Sequence, residues 1–185
     1  PGGLALATAV ACGGLSAVCG SSLATAATMG KVALPQMRRY RYDDALATGV
    51  IAAGGTLGIL IPPSVILVLY GVATQTDIGK LFIAGIVPGI LGILGYMAAV
   101  RVVCWRRPEA GPRGERLAMA ERLRASKGVA GILGLFVLVI GGIYLGVFTA
   151  TEAAGIGATG AFAIALFRRR LSWRDLLETL SETAA

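Results

Sequence analysis

Histidine is missing altogether from this 185-residue chain. Its absence removes imidazole proton relays, Ser-His hydrolase arrangements and most transition-metal sites together. Cysteine is scarce: Cys12, Cys19 and Cys104 are an odd number without metal-ligand spacing, and they read as small apolar side chains in a reduced or lipid setting. Charge is the third shortage. Only 15% of the residues are Asp, Glu, Lys or Arg, against about 25% in an ordinary soluble domain, and those present are clustered. The apolar stretches between the clusters contain no His, Asp or Lys, so Ser21 has no base near it in sequence and no aspartate pair lies within a span. An intramembrane enzyme is thereby disfavoured, and no cofactor is called for.

What remains is a chain that is 56% hydrophobic, with mean hydropathy +0.76 and 27 glycines. Long uncharged segments of this kind predict an all-α integral membrane protein. The net charge of +7 and pI near 9.8 do not indicate nucleic acid. Residues 1–100 hold five Lys/Arg and three Asp/Glu, residues 101–127 hold eight and three, and residues 128–185 hold four and four. The excess sits in one connecting loop, as orientation by cytoplasmic positive charge requires. No secretory signal is visible, and a chain opening on Pro1-Gly2-Gly3 is expected to be a piece of a longer protein, cut at both ends.

Along the chain, the segment from about 4 to 30 is apolar but interrupted by Gly13-Gly14 and Gly20-Ser21-Ser22. Each internal Gly costs roughly 1 kcal/mol in a helix, and a hairpin that enters the bilayer, turns near Cys19 to Ser22 and returns fits better than one straight rod. Residues 31–44 read as a polar connection. Residues 45–71 form an uncharged span broken at Pro62-Pro63, which lack amide protons and push the preceding residues out of helical geometry. Residues 81–103 give an unbroken spanning helix, 101–127 a cytoplasmic basic linker with a surface helix over 115–127, and 128–148 and 153–167 two further spans. Ser172 to Leu180 reads as an amphipathic interfacial helix. With 101–127 inside, the clusters Arg38, Arg39, Arg41 and Arg168, Arg169, Arg170 also fall inside.

Two breaks close together at membrane depth, each with hydroxyls and freed carbonyls, suggest an ion or solute site. The cation-binding group comprises Gly20, Ser21, Ser22, Thr56, Pro62, Pro63 and Ser64, a cage of neutral oxygens suited to sodium. Helix N-termini near Ser22 and Ser64 favour an anionic solute, with Ser22, Thr25 and Ser64 as its contacts. Small residues also promote close helix packing, which is the competing explanation. For Thr149-Ala150-Thr151-Glu152 the expectation is a helix cap, with Thr149 or Thr151 as N-cap and Glu152 in the first turn.

The runs Gly20-Ser21-Ser22 through Ala24-Thr25-Ala26-Ala27-Thr28-Met29-Gly30 and Gly54-Gly55-Thr56-Leu57-Gly58-Ile59-Leu60-Ile61-Pro62-Pro63-Ser64 resemble the large permease subunit of tripartite ATP-independent periplasmic (TRAP) transporters, the DctM-like family. Further likeness lies in Val32-Ala33-Leu34-Pro35, Ile78-Gly79-Lys80-Leu81-Phe82, Pro88-Gly89, Gly141-Gly142-Ile143-Tyr144 and Thr151-Glu152-Ala153-Ala154. Cys19, Gln36 and Ala150 stand where that family commonly has Ser, Glu and Pro. The resemblance implies one piece of an inverted-repeat, elevator-type transporter: residues 1–100 as the first-half transport region, 128–185 as the opening helices of the second half. It implies sodium-coupled import of an organic acid (a C4-dicarboxylate, sialic acid or similar carboxylate) across the bacterial inner membrane by a multi-pass protein. The implied partners are a small membrane subunit, a periplasmic solute-binding protein and the lipid bilayer. A structural or assembly subunit without its own ion site, or a passive channel, are the other readings.

Overall fold

A computed structural model of the chain describes residues 2–112 and 119–167. They form helices and connecting turns, and the chain divides into two compact units, Pro1–Leu117 and Ala118–Ala185.

In the first unit, α1 (Gly3–Cys19) and α2 (Ser22–Arg39) make a helical hairpin. Gly20 closes α1 in the left-handed region (φ 61°) and donates its amide to Ser16 O at 2.9 Å, a conformation that costs glycine nothing. Residues 31–39 are not the polar connection that their charge suggests; they continue α2 through Pro35. The physical reason is burial. Thr25, Met29, Ala33 and Met37 recur at helical spacing on one buried stripe, and packing that stripe outweighs the bond lost at a proline on the exposed face.

The apolar segment that follows is broken twice. It runs as α3 (Asp44–Gly55), a single turn α4 (Leu57–Leu60) and α5 (Val65–Thr74), with Ile61 to Ser64 non-helical. Asp43 caps α3, its Oδ1 accepting from Ala45 N at 2.8 Å and Leu46 N at 3.1 Å. The unbroken α6 (Ile78–Arg106) extends three residues beyond the expected span at each end, and Asp77 Oδ1 caps its first turn by accepting from Lys80 N at 2.8 Å. The segment Asp44–Thr74 and α6 are each long and apolar enough to cross a membrane. Ala5, Ala9 and Cys12 of α1, Met37 of α2, Ala47 and Ile51 of α3, and Val100 and Cys104 of α6 share one core. The outward residues Val87, Leu91 and Leu94 of α6 are apolar and exposed, as a lipid-facing surface requires.

Tyr42 ties the base of this unit together. Its hydroxyl accepts from Leu4 N at 3.1 Å and donates to Pro112 O at 3.2 Å, while Gly2 N donates to Gly111 O at 2.8 Å. The start of α1 is thus fastened to the short 3-10 turn Pro108–Ala110 and its continuation.

The second unit pairs α7 (Met119–Tyr144) with α8 (Ala150–Phe167). Residues 119–127, expected as part of a separate surface helix, are continuous with the rest of α7, and Met119, Ala120, Glu121 and Leu123 are strong helix formers. Thr149 and Glu152 form a reciprocal cap on α8. Thr149 N and Oγ1 donate to Glu152 Oε2 at 2.8 and 2.9 Å, and Glu152 N donates to Thr149 Oγ1 at 3.3 Å. The Thr149 amide, and after it the Thr149 hydroxyl, hold the Glu152 carboxyl below the usual carboxylate range. The cluster Arg168–Arg170 and the amphipathic segment 172–180 lie outside the described residues.

Candidate functional site

Both breaks are built to one pattern. Ser21 (φ −132°, ψ 126°) and Ser64 (φ −124°, ψ 127°) are extended residues that N-cap α2 and α5. Each hydroxyl accepts from the amide three residues on, Ala24 N and Leu67 N respectively, at 3.4 Å. At the second break Pro62 and Pro63 supply no N–H for the carbonyls of Gly58 and Ile59. The Ser64 hydroxyl, 1% exposed, donates to Ile59 O at 2.7 Å and replaces one of those bonds.

The breaks meet. Val65 N, a first-turn amide of α5 without an intrahelical partner, donates to Gly20 O at 3.2 Å. The approach is as close as backbone allows: a Cβ on Gly20 would stand 2.5 Å from Pro63 O, and one on Gly58 would stand 2.8 Å from the Ser21 carbonyl. Three helix ends therefore converge beside Gly58 of α4, the C-terminus of α1 with carbonyls outward and the N-termini of α2 and α5 with amides outward. Carbonyl ends attract cations and amide ends attract anions. Such a crossing offers both polarities within one small volume.

Among the residues singled out in the sequence, the structure brings Gly20, Ser21, Ser22, Pro63 and Ser64 together at this crossing, with Pro62 adjacent. Ser22 Oγ makes no hydrogen bond within the described residues. Thr56 is drawn elsewhere: its hydroxyl donates to Ala53 O at 2.7 Å and lies 2.7 Å from Tyr96 OH on α6. Thr25 is fully buried with an unpartnered hydroxyl, as is Ser16 one turn before Gly20. A buried hydroxyl without a partner costs roughly 1–3 kcal/mol, so both mark the hairpin interior as polar beyond what packing needs. Sequence reasoning missed Ser16 and Tyr96. For Ser16 the signal was its register four residues before the tip; Tyr96, a lone phenol inside an apolar span, was visible but had no assignable partner.

Apolar helices, two segments long and apolar enough to cross a membrane, and discontinuous backbone crossing in their midst are the architecture of an all-helical membrane protein. The comparisons agree. The family model of the "Tripartite ATP-independent periplasmic transporter, DctM component" matches residues 1–185, and the chain belongs to that family. The C4-dicarboxylate TRAP transporter large permease protein DctM of Pseudomonas aeruginosa is 44% identical over 166 residues, covering 90% of this chain and 38% of that protein. The ectoine/5-hydroxyectoine large permease protein UehC of Ruegeria pomeroyi is 37% identical, covering 98% of this chain and 42% of that protein. The sialic acid large permease protein SiaM of Vibrio cholerae is also 37% identical, covering 91% and 39%. The chain thus spans about two fifths of the length of the curated relatives it matches. They are permease subunits of transporters, and the family is not one of enzymes.

Proposed function

We propose that the complete protein imports an organic acid, coupled to sodium, as the large permease subunit of a TRAP transporter in the bacterial inner membrane. It would work with a small membrane subunit and a periplasmic solute-binding protein. Sodium binds at the crossing of the two breaks, held by neutral oxygens of Gly20 to Ser22 and of the Pro62 to Ser64 turn, with the Thr56 hydroxyl at its margin. The substrate carboxylate meets the amide ends beside it, with Ser22, Thr25 and Ser64 as contacts. The hairpin re-enters on the cytoplasmic side, and the hairpin and the broken helix move as one block against a fixed scaffold in an elevator stroke. Residues 128–185 open a second, inverted half that carries the rest of the site.

The observation that supports this reading is the bond from Val65 N to Gly20 O. It joins two chain breaks that have no reason to touch in a bundle of plain spanning helices, and it leaves carbonyl and amide ends side by side. The test is uptake by the full-length protein reconstituted with its partners. Ser22→Ala and Ser64→Ala should each abolish sodium-dependent uptake or weaken sodium binding about tenfold or more, the loss of one charge-assisted contact. Unchanged uptake and sodium affinity in both variants would reject the assignment.

A further inference from the structure

At the opposite end of the first unit, α3 and α6 diverge around a cavity of about 730 Å³. Its walls are apolar, with Leu46, Gly49 and Val50 from α3 and Ala99, Val100 and Val103 from α6. Its mouth is charged and mixed in sign: Arg41 and Arg107 stand with Asp43 and Glu109. We propose that this groove holds one phospholipid of the cytoplasmic leaflet with a zwitterionic phosphoethanolamine headgroup, one of its two acyl chains running between the two helices.

Three observations carry the assignment. First, the mouth complements a headgroup that bears one phosphate and one ammonium. Arg38 is already paired with Asp44 at 2.9 Å, whereas Arg41, Arg107 and Glu109 have no ion pair among the described residues. Guanidinium groups suit phosphate oxygens, and Glu109 suits the amine. Second, Arg41 occupies a position that normally belongs to glycine. After α2, Tyr42 N donates to Met37 O at 3.0 Å and Arg41 N to Arg38 O at 2.9 Å, and Arg41 itself is left-handed, with φ 58°. Arginine there carries a backbone strain that glycine would not. Third, Gly49 sits mid-helix in α3 with nothing within 4 Å of where its Cβ would be. No neighbour among the described residues requires a glycine there, yet a side chain would reach into the groove.

Tyr96 also lines the cavity, and its hydroxyl lies 2.7 Å from that of Thr56. The charges at the mouth match the headgroup level on the side where Arg38, Arg39 and Arg41 place the cytoplasm.

The experiment uses the full-length permease with its small membrane subunit, in nanodiscs of equal parts phosphatidylethanolamine and phosphatidylglycerol, released and weighed by native mass spectrometry. One phosphatidylethanolamine should survive delipidation, in preference to phosphatidylglycerol. Gly49→Leu, which fills the groove, and Arg41→Gly, which removes the cation from a backbone that glycine suits, should each lower its retention about tenfold. Arg41→Gly should do so without lowering the unfolding temperature. Absence of any retained phosphatidylethanolamine in the wild type, equal retention of phosphatidylglycerol, or full retention by Arg41→Gly would overturn the proposal. A helix from the remainder of the full-length chain seated in the groove would give the first of these results.

Discussion

Replacing Gly20 by alanine tests the crossing of the two breaks directly. Two penalties add. Gly20 lies at φ 61°, where a Cβ costs about 1–2 kcal/mol. That Cβ would also stand 2.5 Å from Pro63 O and 3.3 Å from Pro63 C. These are backbone atoms that cannot rotate aside, and overpacking of this kind costs about 1–3 kcal/mol. Gly20→Ala should therefore destabilise the protein by about 2–5 kcal/mol, a large part of the 5–15 kcal/mol that holds a typical domain together. Gly58→Ala carries only the second penalty, its Cβ 2.8 Å from Ser21 C and O, and regains about 1 kcal/mol of helix propensity. Gly14→Ala meets nothing within 4 Å and sits inside α1, so it should lose no stability. The order of unfolding temperatures for the full-length protein, measured in detergent with and without sodium, should be Gly14→Ala, then Gly58→Ala, then Gly20→Ala. A Gly20→Ala variant as stable as Gly14→Ala would refute the reasoning, because the two breaks could not then be in backbone contact.

Two further predictions concern the parts that frame the site. Tyr42→Phe removes the acceptor for Leu4 N and the donor to Pro112 O, a loss of about 1–3 kcal/mol. It should expose the backbone just after Ala110 to limited proteolysis; unchanged cleavage there would show that the phenol holds nothing. Glu152 is ionised below its ordinary value by the Thr149 amide. Its support for α8 is therefore fully present above the unfolded carboxyl value of about 4.3 and is lost as pH falls through the lower folded value. Glu152→Gln should flatten the acid limb of unfolding against pH, and an unaltered limb would mean that the cap is not formed.

The sequence made the breaks visible because their chemistry is local. Pro62-Pro63 cannot donate, Gly20 is free to take a positive φ, and Ser21 and Ser64 are good caps wherever a helix begins. The extent of α2 was not legible, since Arg38, Arg39 and Pro35 argue locally for a connection. The deciding fact is tertiary: Ala33 and Met37 extend a stripe buried against α3. Thr56 failed to reveal its partner for a similar reason. A hydroxyl beside a broken span reads as part of the break, yet Tyr96, forty residues on, captures it from another helix. Tyr42 and the groove beneath it depend on α1, α3 and α6 meeting at one end, and no spacing within any one of them encodes that.

What the crossing leaves unsatisfied bears on what it can hold. Val65 N is taken by Gly20 O across the two breaks, and Ile59 O by the Ser64 hydroxyl within the second. The carbonyl of Gly58 still has no proline N–H to receive, and the first amides of α2 still point out of the helix. A lone cation would meet the carbonyls but leave those amides facing apolar surroundings; a lone anion would do the reverse. A cation and a carboxylate together satisfy both sets at once. If sodium and a carboxylate both bind here, as proposed, each would strengthen the binding of the other, and by reciprocity the coupling would be the same in both directions.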